Sequence, residues 1–240
     1  VPDSQGASVV TKEVVTVVKE DDLITDSIAK NAKSLARVYR RPPAGSDEKL
    51  NTFVGLGTIV SAEGIIATDA TIVSGDASFL VTLSDGGAWS VDVLPMAKDA
   101  STALLKIVKE KGKESTTFPA IGFGDATAIK LGQSVISLSG QNRINVFIGI
   151  VSGLTEREAQ PAGTSTQSLA GEAKTVIASI EASFSPVDVT VGSPLTNIFG
   201  ELIGISTSPQ RGSAGGTRYT PASAVLSELM HLSDAQKLEN

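Results

Sequence analysis

The sequence predicts a mainly β protein built of two packed antiparallel β-barrels, with one helix before the first barrel and another after the second. Three observations carry that reading. From Thr52 onward, short β-branched runs separated by Gly, Asp and Ser recur at about the 8 to 12 residue spacing of a barrel or sandwich. These runs fall into two series, TFVGLGTIVS to TALLKIV and QSVISLSG to GELIGISTS. Between them lies EKGKESTTFPAIGFGDATAIKLG, polar and then punctuated by Pro and Gly as a boundary is.

Taken in order, residues 1–24 read as a peripheral arm in which VVTKEVVTVV offers patchy alternation and one strand at most. From Thr25 and Asp26 a helix is expected, with Ile28, Ala32, Leu35, Ala36 and Tyr39 at helical spacing, ended by the consecutive prolines of RRPPAGSDE. Arg37, Arg40 and Arg41 would then complement the macrodipole at its C-terminal end. The first barrel, with that helix, spans 25–122 and the second 123–219. Residues 155–174 are the most loop-like interior stretch. A final helix and tail occupy 220–240, capped by Thr220 with Pro221 as the first helical residue.

Composition removes several function classes. With 41% hydrophobic and 19% charged residues, the chain has the make-up of a globular protein rather than a disordered or fibrous one. A formal charge of -6 opposes binding to nucleic acid or to an anionic membrane surface. The chain has no Cys and one His, which excludes disulfides, thiolate catalysis and multi-His metal centres. No metal or cofactor is expected. No apolar run reaches the length of a membrane-spanning helix. Beginning at Val1, the chain reads as trimmed from a longer precursor.

GLGTIVSAEGIIATDATIV (55–73), LVTLSDGG (80–87), TALLKI (102–107), FPAIGFGDATAIKLGQSVISLSG (118–140), IGIVSGL (148–154) and GELIGIST (200–207) follow one another in an order and spacing that resemble the protease domain of the HtrA family. The resemblance runs over about residues 26 to 232. It implies a chymotrypsin-like pair of six-stranded barrels, a location outside the cytoplasm (periplasm, cell surface or secreted), an upstream tether and assembly of like subunits. The family's PDZ domain has no counterpart before the chain stops.

The same resemblance places other residues where the family carries its catalytic triad. The His position falls on Thr71 in ATDATIV, the Asp position on Ser101, and the nucleophile position on Val191 once Gly192, Ser193, Pro194 and Leu195 are matched to the family's GGPL. Asp99 reads as a turn residue. Such a triad needs a hydroxyl, a proton acceptor and an orienting carboxylate, and loss of the nucleophile or base alone costs on the order of 10⁶ in turnover. The oxyanion loop reads SPVDVTVG, with Val189, Thr190, Gly192 and Ser193 where the family's Gly-rich turn converges its N–H groups. β-Branched residues resist positive φ, so the donors are expected to be lost. From this the chain is expected not to be an enzyme, and to act as a pseudoprotease that binds or scaffolds a protein or peptide partner.

Alternatives rest on single residues. Ser193 could serve as a displaced nucleophile of a divergent hydrolase, against its plain reading as a small turn residue before Pro194. Lys106 and Lys174 lack the spacing of a Ser-Lys dyad, and His231 reads as a solvated cation at the end of the last helix. Asp69, Asp188 and Glu181 read as separate turn or strand carboxylates, and Gly55 and Gly57 as close-packing glycines. A structural spacer would fill its cleft with Val191 and Leu56. For binding, the expected surfaces are the cleft between barrels or an open strand edge at Gly204, Ile205, Ser206 and Thr207, which would take an extended peptide by strand addition between loops 155–174 and 209–217.

Overall fold

The computed structural model describes residues 19–47, 50–97, 99–158, 175–213 and 215–238, with side chains to 232. The described part opens with α1 (Glu20–Asn31), whose acidic first turn, Glu20, Asp21 and Asp22, complements the helix dipole. A 3-10 turn at Ala32–Ser34 leads into β1 (Leu35–Arg40). The first barrel continues with β2 (Thr52–Ile59), β3 (Ile65–Asp69), a 3-10 turn at Ala70–Val73, β4 (Phe79–Thr82), β5 (Ala88–Val93) and β6 (Thr102–Ile107). The second comprises β7 (Ser134–Ser139), β8 (Asn145–Glu158), β9 (Thr175–Ala182), β10 (Pro194–Asn197), β11 (Leu202–Arg211) and β12 (Thr217–Pro221), followed by α2 (Ala222–Leu238).

Both sheets close on themselves, in the orders β1-β2-β3-β6-β5-β4 and β10-β11-β12-β9-β8-β7, with every ladder antiparallel. Closure removes the free edges that an open sheet would present. Each barrel has its own core: Val38, Ile66, Phe79 and Leu105 fill the first, and Val135, Ile180, Leu195 and Tyr219 fill the second. Two further clusters join the barrels. Leu104, Leu202 and Ile205 pack against Val225 of α2, and Leu35, Leu56, Ile136 and Leu138 meet Ile24 and Ile28 of α1 on the other side.

The expected N-terminal helix is displaced. It begins at Glu20 rather than Thr25, which shortens the arm expected at 1–24, and it ends at Asn31, so LARVYR is strand. That strand is buried on both faces: Ala36 and Val38 enter the first barrel's core while Leu35 enters the α1 seam. Two-faced burial erases alternation and leaves a pattern that imitates helical spacing. The arginines accordingly cap no helix. Arg37 donates through Nε to the Gln141 carbonyl, and Arg41 donates to Ser90 Oγ at 2.7 Å. At the other end, Thr220 and Pro221 belong to β12, and α2 starts one residue later than expected. Thr155–Glu158, expected as loop, extend β8 and pair with β9, while residues 159–174 and 1–18 lie outside the described part.

Candidate functional site

The barrels meet along β2 and β3 of the first and the 185–196 and 202–211 segments of the second. Leu56 N–H donates to the Val191 carbonyl at 2.9 Å, and Thr68 Oγ1 donates to the Leu56 carbonyl at 2.6 Å. A side chain at Gly55 would run into Ile72 and the Val191 carbonyl, and one at Gly192 would sit 1.8 Å from the Leu56 carbonyl. Gly192 also has φ +84°, the left-handed region that only Gly enters freely. Glycine at both positions lets the two backbones touch.

Thr71 is exposed on the 3-10 turn after β3; its N–H donates to Asp69 Oδ1 at 2.6 Å and its hydroxyl lies 3.4 Å from Ser208 Oγ. Ser101 is exposed just before β6, and its carbonyl accepts the Ala70 N–H at 3.1 Å. Val191 is half-buried against Gly55. These contacts bring together the three segments that the resemblance picks out, with Thr71 and Ser101 linked through Ala70, and Val191 and Ile72 both against Gly55.

The loop before β10 is tightly wired. Thr190 N–H donates to Ser139 Oγ at 2.7 Å, Gly192 N–H to the Ser206 carbonyl at 2.7 Å, and Ser193 N–H to the Thr190 carbonyl at 3.1 Å. Val189 is buried in the second barrel's core and its carbonyl accepts from Gln210 Nε2 at 2.7 Å. Ser193 does not present a nucleophile: it is fully buried, and its hydroxyl donates to the Thr190 carbonyl at 2.6 Å.

The strand edge expected at Gly204, Ile205, Ser206 and Thr207 is not open, because closure of the barrel puts β11 between two partners. Gly204 pairs with Leu195 and Pro221, and Ile205 with Pro194 and Thr220. Ser206 donates to the Ser193 carbonyl and accepts from Gly192, while the buried Thr207 hydroxyl is 2.7 Å from Thr220 Oγ1. Beyond it, Ser208 N–H is held by Asp69 and Pro209 has no N–H, so neither supplies a main-chain donor.

The open feature is elsewhere along the junction. A cleft of about 980 Å³ is walled by Asp99–Thr102 of the first barrel, by Arg157, Val176–Ala178, Arg218 and Thr220 of the second, and by Ser223, Ser227 and Glu228 of α2. With Glu158 also in its lining, it combines two cations, three anions, hydroxyls and a short apolar wall, and it lies at the stems of the 159–174 segment. The patterning of β9 and β12 did not announce it, since it arises from how the barrels and α2 are set against one another.

The other singled-out residues have separate places. His231 is exposed on α2, and Lys106 donates to the Glu63 carbonyl at 3.0 Å. Buried Glu181 accepts from Ser213 N–H and Oγ. Among the described residues, no group of three His, Asp or Glu stands close enough to hold a metal ion. Lys174 lies outside the described part.

A family model described as "Trypsin-like peptidase domain" matches residues 55–205, more than half of the chain. The chain belongs to the trypsin-like peptidase family. It is 25% identical over 173 residues to the "Probable periplasmic serine endoprotease DegP-like" of Halomonas elongata, covering 69% of this chain and 31% of that one. It is 30% identical over 160 residues to "Serine protease HTRA1" of Xenopus tropicalis, covering 64% of this chain and 31% of the relative. It therefore spans about a third of the length of these curated relatives. Among solved structures, "HtrA-type protease AlgW with decapeptide" superimposes with a TM-score of 0.63 at 20% identity, over 90% of this chain and 68% of that one.

These relationships correct one expectation from the sequence. Replaced triad positions led to a reading of the chain as a non-enzyme, but the relatives of this trypsin-like peptidase domain are named as serine proteases, which points to a protease.

Proposed function

We propose that this HtrA-like domain works outside the cytoplasm by engaging an extended segment of polypeptide in the cleft between its barrels. The observation that carries the reading is the cleft of about 980 Å³ that both barrels and α2 wall together. Its volume is at the upper end of the range for ligand sites, and its make-up, an apolar strip with hydroxyls and charges of both signs, suits a chain of mixed side chains. Serine proteases act on polypeptides, and the solved AlgW structure is described with a decapeptide, which supports a polypeptide as the ligand class. Extracytoplasmic placement is supported by the periplasmic relative, and no helix among the described residues is long and apolar enough to cross a membrane.

The proposal replaces strand addition at 204–207 with side-chain and cleft recognition, because the main-chain groups of that strand are already paired. It is tested by titrating the protein into fluorescein-labelled casein and following anisotropy, with electrophoresis of the same samples to read cleavage. Saturable binding is expected. A flat anisotropy trace with intact casein, from protein whose circular dichroism shows it folded, would remove the proposal.

A further inference from the structure

The first barrel carries a smaller pocket that shares no residue with the cleft. It measures about 230 Å³ and forms where the turn between β4 and β5, the 3-10 turn before β1 and the chain after β6 come together. Its wall is apolar, made of buried Leu83 and Phe118 and half-buried Trp89, the chain's single tryptophan. Trp89 and Phe118 meet edge to face, with centroids 5.3 Å apart and planes at 84°, so each ring fixes the other. Lys113 Nζ stands 5.2 Å from the Trp89 ring and outside the lining. The indole Nε1 is buried and has no hydrogen-bond partner, so a ring of this wall carries an unmet donor.

The rim supplies one cation and one anion, Lys33 and Asp85. Among the described residues, the Lys33 ammonium has neither a hydrogen-bond nor an ion-pair partner. Asp85 Oδ1 accepts the Gly87 N–H at 2.8 Å, which anchors the carboxylate on its turn, and no cation pairs with it. We propose that this pocket binds a free aromatic α-amino acid, with its ring against Trp89 and Phe118, its carboxylate toward Lys33 and its ammonium toward Asp85. Three arguments select that class. The volume lies below that of pockets for drug-sized ligands and suits one ring with a short polar end. Two aromatic rings in the wall favour a third ring over an aliphatic chain. A purely anionic ligand would face Asp85 and a purely cationic one Lys33, whereas a zwitterion complements both.

Because Trp89 is the only tryptophan, its emission reports on this pocket alone. Phenylalanine is titrated into the protein under excitation that neither it nor tyrosine absorbs, and retention of radiolabelled phenylalanine is measured in parallel by equilibrium dialysis. A saturable change in emission that matches the dialysis curve is expected. N-acetylphenylalanine and phenylalaninamide, each lacking one of the two charges, should bind at least about tenfold more weakly. Lys33→Met and Asp85→Asn, the second keeping an acceptor for the Gly87 N–H, should each weaken phenylalanine at least about fivefold while circular dichroism stays unchanged. No retention in dialysis overturns the proposal, and retention without a change in emission overturns it by placing the ligand elsewhere. Equal binding of the amide would make the ligand the first residue of a peptide, and equal binding of the acetyl compound the last; either result overturns a free amino acid. Unchanged affinity in either variant overturns the assignment of its charge.

Discussion

The buried carboxylate of Asp69, at the end of β3, accepts the main-chain N–H of Thr71 in its own barrel and that of Ser208 in the second. One side chain thus ties the turn carrying Thr71 to the strand that leaves the barrel junction. Asp69→Ala removes the acceptor from both N–H groups, and bonds to a charged acceptor contribute about 1.5 to 3 kcal/mol each. We expect a loss of about 3 to 6 kcal/mol in urea unfolding. Asp69→Asn, whose side chain has a single carbonyl acceptor, should fall between that and wild type.

Gly192 is expected to tolerate no side chain. A Cβ there would lie 1.8 Å from the Leu56 carbonyl, on a backbone with φ +84°. Strain of this kind costs about 1 to 3 kcal/mol before the clash is added. Gly192→Ala should therefore lower stability by more than about 3 kcal/mol in thermal unfolding, whereas Gly132→Ala, with φ +79° and open space around it, should cost only the backbone strain.

Ser193→Ala should act on stability alone. Its hydroxyl donates to the Thr190 carbonyl, which also accepts the Ser193 N–H, so removal leaves no acceptor bare. A cost of about 0.5 to 1.5 kcal/mol is expected. Any casein cleavage by the wild type should survive the change, and its disappearance would reinstate Ser193 as a nucleophile.

Tyr219 makes stability depend on alkaline pH. Burial pushes its hydroxyl above the usual tyrosine range, and the 3.0 Å hydrogen bond to Ser137 Oγ offsets this in part. A folded pKa above the unfolded one means that the unfolded chain releases the proton first. The contribution is full below about pH 10 and is lost as pH rises from there toward the folded value. Tyr219→Phe should be less stable at neutral pH by about 1 kcal/mol, and should lose stability less steeply above pH 10 when both are followed by denaturant titration.

The two barrels were legible because each strand of a closed sheet keeps β-branched runs between turn residues, and TFVGLGTIVS and QSVISLSG both show it. LARVYR was not, because burial on two faces removes the alternation that marks a strand. The resemblance of the motifs picked out Thr71, Ser101 and Val191, and the first two stand on segments joined by the Ala70 to Ser101 hydrogen bond. The state of Gly204–Thr207 could not be read, since whether a strand has an edge depends on what closes beside it, and here β10 and β12 both do. The large cleft could not be read from the sequence. Its walls, Arg157, Arg218 and Ser227 among them, come from three distant segments that no local pattern connects.

The most direct test of polypeptide binding in the cleft compares two variants of α2. Ser227 lines the cleft, whereas Met230, three residues on, is 65% exposed and outside it. Anisotropy titrations of labelled casein are made with Ser227→Trp and Met230→Trp. Cleft binding predicts that Ser227→Trp weakens affinity at least about tenfold, equivalent to about 1.4 kcal/mol, while Met230→Trp matches wild type. Equal affinity for all three proteins would contradict binding in the cleft.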